Sequence, residues 1–150
     1  MGQHGTGIDL DTSLGYLLKE ASSALRTAMD DVLRPLGMSV THYACLEVLA
    51  QRPGTSSADL ARATFVTRQT MHVLLQALER DGEVSRPAAA PTGRALPVRL
   101  TPHGRERLAS ATTAVRSVED RMLSGLTTTE RSDALRVLRA MVHALRDEPR

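Results

Sequence analysis

Cysteine occurs once in this chain, at Cys45, and tryptophan not at all. One thiol cannot build an intrachain disulfide framework or a thiolate zinc site, and the usage fits a reducing, cytoplasmic interior. Aromatic residues are confined to Tyr16, Tyr43 and Phe65. A protein that grips single-stranded nucleic acid needs aromatic platforms for its bases, so duplex DNA is the more plausible nucleic-acid partner. The five histidines (His4, His42, His72, His103, His143) are scattered without metal-ligand spacing, and no metal or other cofactor is expected. No run of 18 apolar residues exists, so no membrane span is expected, and no charged-apolar-small signal peptide opens the chain. Met1 to Thr6 fits the loose myristoylation pattern, but a match that short arises often by chance. Neither a nucleophile–base pair nor a phosphate-cradling glycine loop is legible, so the chain does not read as an enzyme.

Its 150 residues suit one domain, or one domain with an added dimerisation element, and 41% hydrophobic content is enough for a packed core. The formal net charge is only +2, so any electrostatic case for nucleic acid rests on where the charge lies. Lys19 is the sole lysine. The remaining positive charge is arginine, which forks onto phosphate or guanine better than lysine does. A GC-rich genome enriches arginine equally well, and composition alone does not choose between these explanations.

The apolar spacing gives the organisation. A helical pattern begins at Asp11, with Leu14, Leu18, Ala21, Leu25, Ala28 and Val32 in alternating steps of four and three, and stops at Pro35 and Gly37. Ser39 can cap a second helix to about Gln51, with Tyr43, Leu46 and Ala50 on one face and Leu49 beside them. Ser56-Ser57-Ala58-Asp59 is a capping signal for a short helix carrying Leu60 and Ala61. After a turn at Thr64-Phe65-Val66, Thr67 can cap another helix ending at Asp81-Gly82. Two short helices joined tightly make a helix-turn-helix pattern. Val84, Arg86, Leu96, Val98 and Leu100 then sit at strand-like positions around a turn-rich tip, which predicts a two-stranded hairpin. Pro91 and Pro97 suit an edge hairpin rather than a central strand. Thr101-Pro102 opens a long helix with a seam of Leu108, Ala111, Val115, Val118 and Met122, ending at Gly125. Thr127 to Glu130 is a capping box for a last helix carrying Leu135, Leu138, Val142 and Leu145.

The fold class expected is mainly α with a small β-hairpin wing: a winged helix-turn-helix unit over residues 37–101, flanked by dimerisation helices over 1–36 and 102–150. The outer seams are long for one chain to bury. They either pack against each other in a monomer or are covered by a second copy, and two-fold pairing is common among duplex readers of this motif.

Projected at 100° per residue, the helix over 67–81 places Met71, Leu74, Leu75 and Leu78 on one side, with Gln69, Val73, Gln76 and Arg80 opposite. Arginine can fork onto guanine, glutamine onto adenine, and a small apolar group can touch a thymine methyl. Arg68, Gln69, Thr70, His72, Val73 and Gln76 are therefore the candidate DNA contacts on this helix. An ordinary solvated face would look similar in isolation; the preceding tight turn and the arginine-bearing hairpin favour DNA. Arg86, Arg94 and Arg99 lie on or near that hairpin, and Arg94, beside Gly93, is placed to enter a minor groove.

Taken in order, Ser57-Ala58-Asp59-Leu60-Ala61, Thr67-Arg68-Gln69-Thr70-Met71, Leu78-Glu79-Arg80-Asp81-Gly82, and the run from Gly93-Arg94 through Leu100-Thr101 to Gly104 resemble the MarR family of bacterial regulators, over about Leu14 to Leu145. The resemblance implies a homodimer joined through its first, fifth and sixth helices, bound to pseudo-palindromic double-stranded DNA in the cytoplasm at the nucleoid. It also implies repression of a nearby gene, relieved by a small-molecule ligand or by oxidation. The aspartate that the family places two residues before the wing arginine is Thr92 here, which cannot make the orienting ion pair, so Arg94 is expected to be less preorganised.

No motif fixes an effector pocket. Tyr16, Glu20, His42 and Tyr43 are the polar or aromatic groups on the helices that the resemblance implies would line one, and each has an ordinary packing or surface explanation. A redox role for Cys45 is an alternative, but its apolar setting, Tyr43-Ala44-Cys45-Leu46, lacks the electropositive groups that favour thiolate. A winged helix that binds protein rather than DNA is the other alternative, which the modest net charge permits.

Overall fold

The computed structural model describes residues 7–87 and 97–146. Helix α1 spans Leu14–Leu33, α2 Val40–Gln51, α3 Ser57–Ala63, α4 Arg68–Arg80, α5 Pro102–Leu123 and α6 Thr128–Arg146; strands β1 (Thr55–Ser56), β2 (Val84–Ser85) and β3 (Pro97–Leu100) complete the chain. The architecture is mainly α with a small antiparallel sheet.

Each helix start has a chemical cause. Ser13, Ser39, Ser56, Thr67 and Thr101 each accept the amide three residues on, satisfying a donor that the first turn leaves orphaned. Thr127 and Glu130 exchange bonds at the start of α6, with Thr127 N donating to Glu130 Oε1 at 2.9 Å and Glu130 N to Thr127 Oγ1 at 3.1 Å. Helix α1 begins at Leu14, three residues later than the apolar pattern suggests. The Asp9 side chain accepts the Asp11 amide, and this local turn competes with the helix until Ser13 caps it. A single three-ten turn, Arg34–Leu36, ends it, and Gly37 at φ 67° reverses the chain.

The sheet contains the expected antiparallel pair, β2 with β3, and adds one strand to it. It has three strands in the order β1-β3-β2, with Thr55 opposite Val98, Ser56 opposite Pro97, Val84 opposite Leu100 and Ser85 opposite Arg99. The chain entering α3 supplies an extra edge, so β3 is central. Pro97 is its first residue, where a missing amide is tolerated. The expected hairpin tip, with Leu96 and Pro91, lies outside the described residues.

The core lies between α2, α3, α4 and the sheet: Leu46, Leu49, Leu60, Met71, Leu75, Leu78 and Val98 are almost wholly buried. In α2 the buried positions are His42, Cys45, Leu46 and Leu49: Leu46 and Leu49 belong to the expected face, but its Tyr43 and Ala50 are only half-buried and His42 and Cys45 lie deeper. The reason is that α2 packs on α1, α3, α5 and β3, so no residue from Val40 to Ala50 is fully exposed and no single apolar stripe is selected.

The outer helices are different. Leu14, Leu18 and Ala21 of the first seam are exposed, and only its C-terminal half, from Leu25 onward, turns inward against α5. Leu108, Ala111 and Val118 of α5 are buried, while Met122 is exposed. Helix α6 buries no residue, and Leu135, Leu138, Val142 and Leu145 are exposed along it.

Candidate nucleic-acid interface

Helix α4 is held by one edge. Met71, Leu75 and Leu78 are buried and Leu74 is half-buried, which leaves the opposite edge to solvent. Arg68, Gln69, Thr70, His72, Val73 and Gln76 are all exposed. Val73, at 56% exposure, is an apolar side chain in the middle of a polar strip. Thr70 is partly committed to its own helix start: its amide donates to Thr67 Oγ1 at 3.1 Å, and the two hydroxyls are 3.0 Å apart. The strip combines forked donors, an amide and an aliphatic contact, the groups that read base edges in a major groove.

The turn that aims α4 carries a residue the sequence pattern does not single out. Phe65 has φ 61° and is 82% exposed. The left-handed conformation lets the Val66 amide reach Ala61 O at 3.1 Å and closes the turn in three residues, but a bulky side chain there is strained. Only a left-handed geometry at that position could have flagged it, and Phe is a poor indicator of one.

Beside the helix, Arg86 donates through Nε to Glu79 Oε2 at 2.9 Å, its side chain largely covered. It therefore ties the base of the wing to α4 and does not project from it. Arg99 is exposed on β3. Arg94 and Thr92 lie outside the described residues.

The four effector candidates differ in setting. Tyr16 and Glu20 are exposed on α1. Tyr43 is half-buried, and burial first, then the Glu47 carboxylate, pushes its phenol up from the ordinary value. His42 is buried, with Nε2 2.9 Å from Glu83 Oε1. A wide cavity of about 1230 Å³, lined among others by Arg52, Thr55, Ser56, Arg62, Phe65 and Arg146, includes none of the four. Cys45 is also fully buried, its sulfur 4.0 Å from Met71 Sδ; burial and then the Glu83 charge push its thiol up to about 12. That setting opposes thiolate formation and disfavours a sensing cysteine.

Among the described residues, no group of acidic, His and Cys side chains could hold a metal ion, and no helix is long and apolar enough to cross a membrane.

Comparison with known proteins agrees with the geometry. The MarR family model matches residues 36–95, which run from the end of α1 into the wing. The HTH-type transcriptional repressor Rv2887 of Mycobacterium tuberculosis is 41% identical over 132 residues, covering 88% of this chain and 95% of that protein. A crystal structure of that protein with salicylic acid superposes with a TM-score of 0.72 at 40% identity, covering 87% of this chain and 97% of the other. Its complex with DNA also gives 0.72, at 37% identity over 87% and 98% of the two chains.

Proposed function

The chain belongs to the MarR family of transcriptional regulators, and from that premise we propose that it is a homodimeric repressor that reads a pseudo-palindromic duplex and leaves it when a small molecule binds. The observation that carries the proposal is the division of α4 into a buried edge and an exposed one bearing Arg68, Gln69, His72, Val73 and Gln76. Those side chains read bases in the major groove, Thr70 orders the first turn, and Arg94 enters the flanking minor groove. Residues 37–101 form the DNA-binding unit; residues 1–36 and 102–150 join the two copies. The exposed apolar residues of α1 and α6 support that division, because a second copy would cover them.

The complexes of the mycobacterial relative with DNA and with salicylic acid support the reading that one protein of this kind takes both a duplex and a small ligand. Such a protein acts on the nucleoid, in the bacterial cytoplasm.

The test is anisotropy titration of the full chain against inverted repeats drawn from the region around its own gene. Binding weakens steeply with salt, as counterions are displaced from phosphates. Gln69→Ala relaxes base preference at one position per half-site, by about 1–3 kcal/mol of discrimination. Arg94→Ala lowers affinity evenly across sequences. A protein that prefers no duplex sequence, or whose preference survives the Gln69 and Arg68 substitutions together, would refute the assignment and leave a protein-binding winged helix as the better reading.

A further inference from the structure

Glu83 is 3% exposed, in the turn between α4 and β2. Its main chain joins the end of the recognition helix to the start of α5: its amide donates to Leu78 O at 2.9 Å, and its carbonyl accepts the Thr101 amide at 3.1 Å. Its carboxylate faces an imidazole and a guanidinium from two other elements. His42 Nε2 of α2 lies 2.9 Å from Oε1, and Arg107 Nε of α5 lies 3.6 Å from the same oxygen. Three separate elements of the chain thus meet at one buried oxygen.

A buried ion pair is a poor way to gain stability, because apolar residues of the same volume hold a core at least as well. What charged partners add is direction: the carboxylate is satisfied only when α2, α5 and the end of α4 stand in one relation. That relation matters more here than in most cores. Helix α5 has 22 residues, about 33 Å, and runs from this junction to the exposed apolar faces of the outer helices. A change of about 10° at its base moves its far end by about 6 Å, more than the rise of one base pair.

We propose that Glu83, gripped by His42 and Arg107, is a positioning residue that fixes the angle between the recognition helix and α5, and so sets the half-site spacing that the dimer accepts. The proposal rests on the homodimeric DNA-binding reading above. Glu83 touches no base and no phosphate; it acts through the helix that does.

The experiment uses the full chain and duplexes carrying the wild type's preferred inverted repeat, with one or two base pairs inserted or removed between the half-sites. Wild type is expected to lose about tenfold or more in affinity on each change of spacing, since half-sites are held about one helical turn apart. Arg107→Met is the main variant, because the arginine is partly exposed and its loss leaves the His42–Glu83 bond in place. It is expected to bind the altered spacings within about threefold of the original, with the salt dependence unchanged because no phosphate contact is lost. Glu83→Gln moves in the same direction, and Arg107→Lys restores part of the discrimination. A merely structural role would lower affinity at every spacing alike. Full wild-type discrimination in both Arg107→Met and Glu83→Gln would overturn the proposal. A wild type that prefers no inverted repeat at any spacing would overturn the dimeric reading and this proposal with it.

Discussion

Replacing Gly104 with alanine tests the junction where the end of α4, the sheet and α5 meet. Gly104 is buried in the first turn of α5, and its amide donates to Thr101 Oγ1 at 3.0 Å. Its backbone is ordinary helix, so glycine is present for space and not for conformation. A Cβ built there collides with the Glu83 carbonyl oxygen, sits 3.0 Å from the carbonyl carbon and 3.2 Å from Leu100 Cδ2. The obstacle is mostly backbone, which cannot swing aside as a flexible side chain can. The first turn of α5 must move off the end of α4, stretching the 3.1 Å bond from the Thr101 amide to Glu83 O. Overpacking of this kind costs about 1–3 kcal/mol, and a lost buried hydrogen bond about 0.5–1.5. The helix propensity gained by alanine returns less than about 1 kcal/mol. The net expectation is a destabilisation of about 2 kcal/mol. Urea unfolding followed by circular dichroism, at one protein concentration because association contributes to stability, gives the value. Gly125→Ala is the matched control, since nothing lies within 4 Å of its added carbon. A Gly104→Ala midpoint within about 0.5 kcal/mol of wild type would show that the close approach is not a constraint, and the account of the junction would fail.

Phe65→Gly relieves a left-handed conformation that costs a side chain about 1–2 kcal/mol, offset by about 0.5–1 from glycine's freer unfolded chain. Its melting midpoint should rise slightly; a fall would mean that the ring packs on something the fold needs. Glu130 is held below its ordinary value of 4.5 by the Thr127 amide and hydroxyl, so its cap contributes above pH 4.5 and is lost as pH falls through the lower folded value. The stability difference between wild type and Glu130→Gln should therefore shrink on acidification below pH 4.5, and a constant difference from neutral pH to pH 3 would refute the linkage. Cys45, with its thiol near 12, should react with a disulfide reagent at neutral pH only as fast as the protein unfolds. Rapid native labelling, or operator binding altered by peroxide in wild type but not in Cys45→Ser, would restore the redox reading.

The readable and unreadable parts of the sequence divide along physical lines. Helices α3 to α6 were legible because each combines a hydroxyl cap with apolar residues on one side, and α4 in particular is covered on one edge and open on the other. The α2 face was legible only at Leu46 and Leu49, because a helix surrounded by four neighbours imposes no single period on its sequence. Strand β1 has two residues, too few for alternation to register, and it exists only because β3 passes beside it. His42 looked like a pocket residue because nothing in a linear pattern reveals that Glu83, 41 positions away, lies against it. The exposed edge of α4 could be read from the helical wheel. Arg86 could not be told from a projecting wing arginine, since its partner Glu79 belongs to another element.

That last group of residues shares one location. Glu79, Gly82, Glu83, Arg86, Thr101, Gly104 and Arg107 cluster where α4, the β2–β3 pair and α5 converge. Glu79 and Arg86 fix the wing to α4 by charge. Thr101 closes the gap twice, donating its amide to Glu83 O and its hydroxyl to Gly82 O. Gly104 supplies the room, and Glu83 with His42 and Arg107 supplies the direction. The family's run of leucine, threonine and a glycine three residues later then has a mechanical meaning in Leu100, Thr101 and Gly104: a core anchor, a two-way hydroxyl and amide, and a space. Because Thr101 and Gly104 hold the same turn, their substitutions should not add. Thr101→Ala removes the hydroxyl's bonds to Gly82 O and from the Gly104 amide, which displacement of the first turn in Gly104→Ala already strains. The double variant should therefore be less unstable than the sum of the singles by about 1 kcal/mol, whereas strict additivity would mean that the two hold the junction independently.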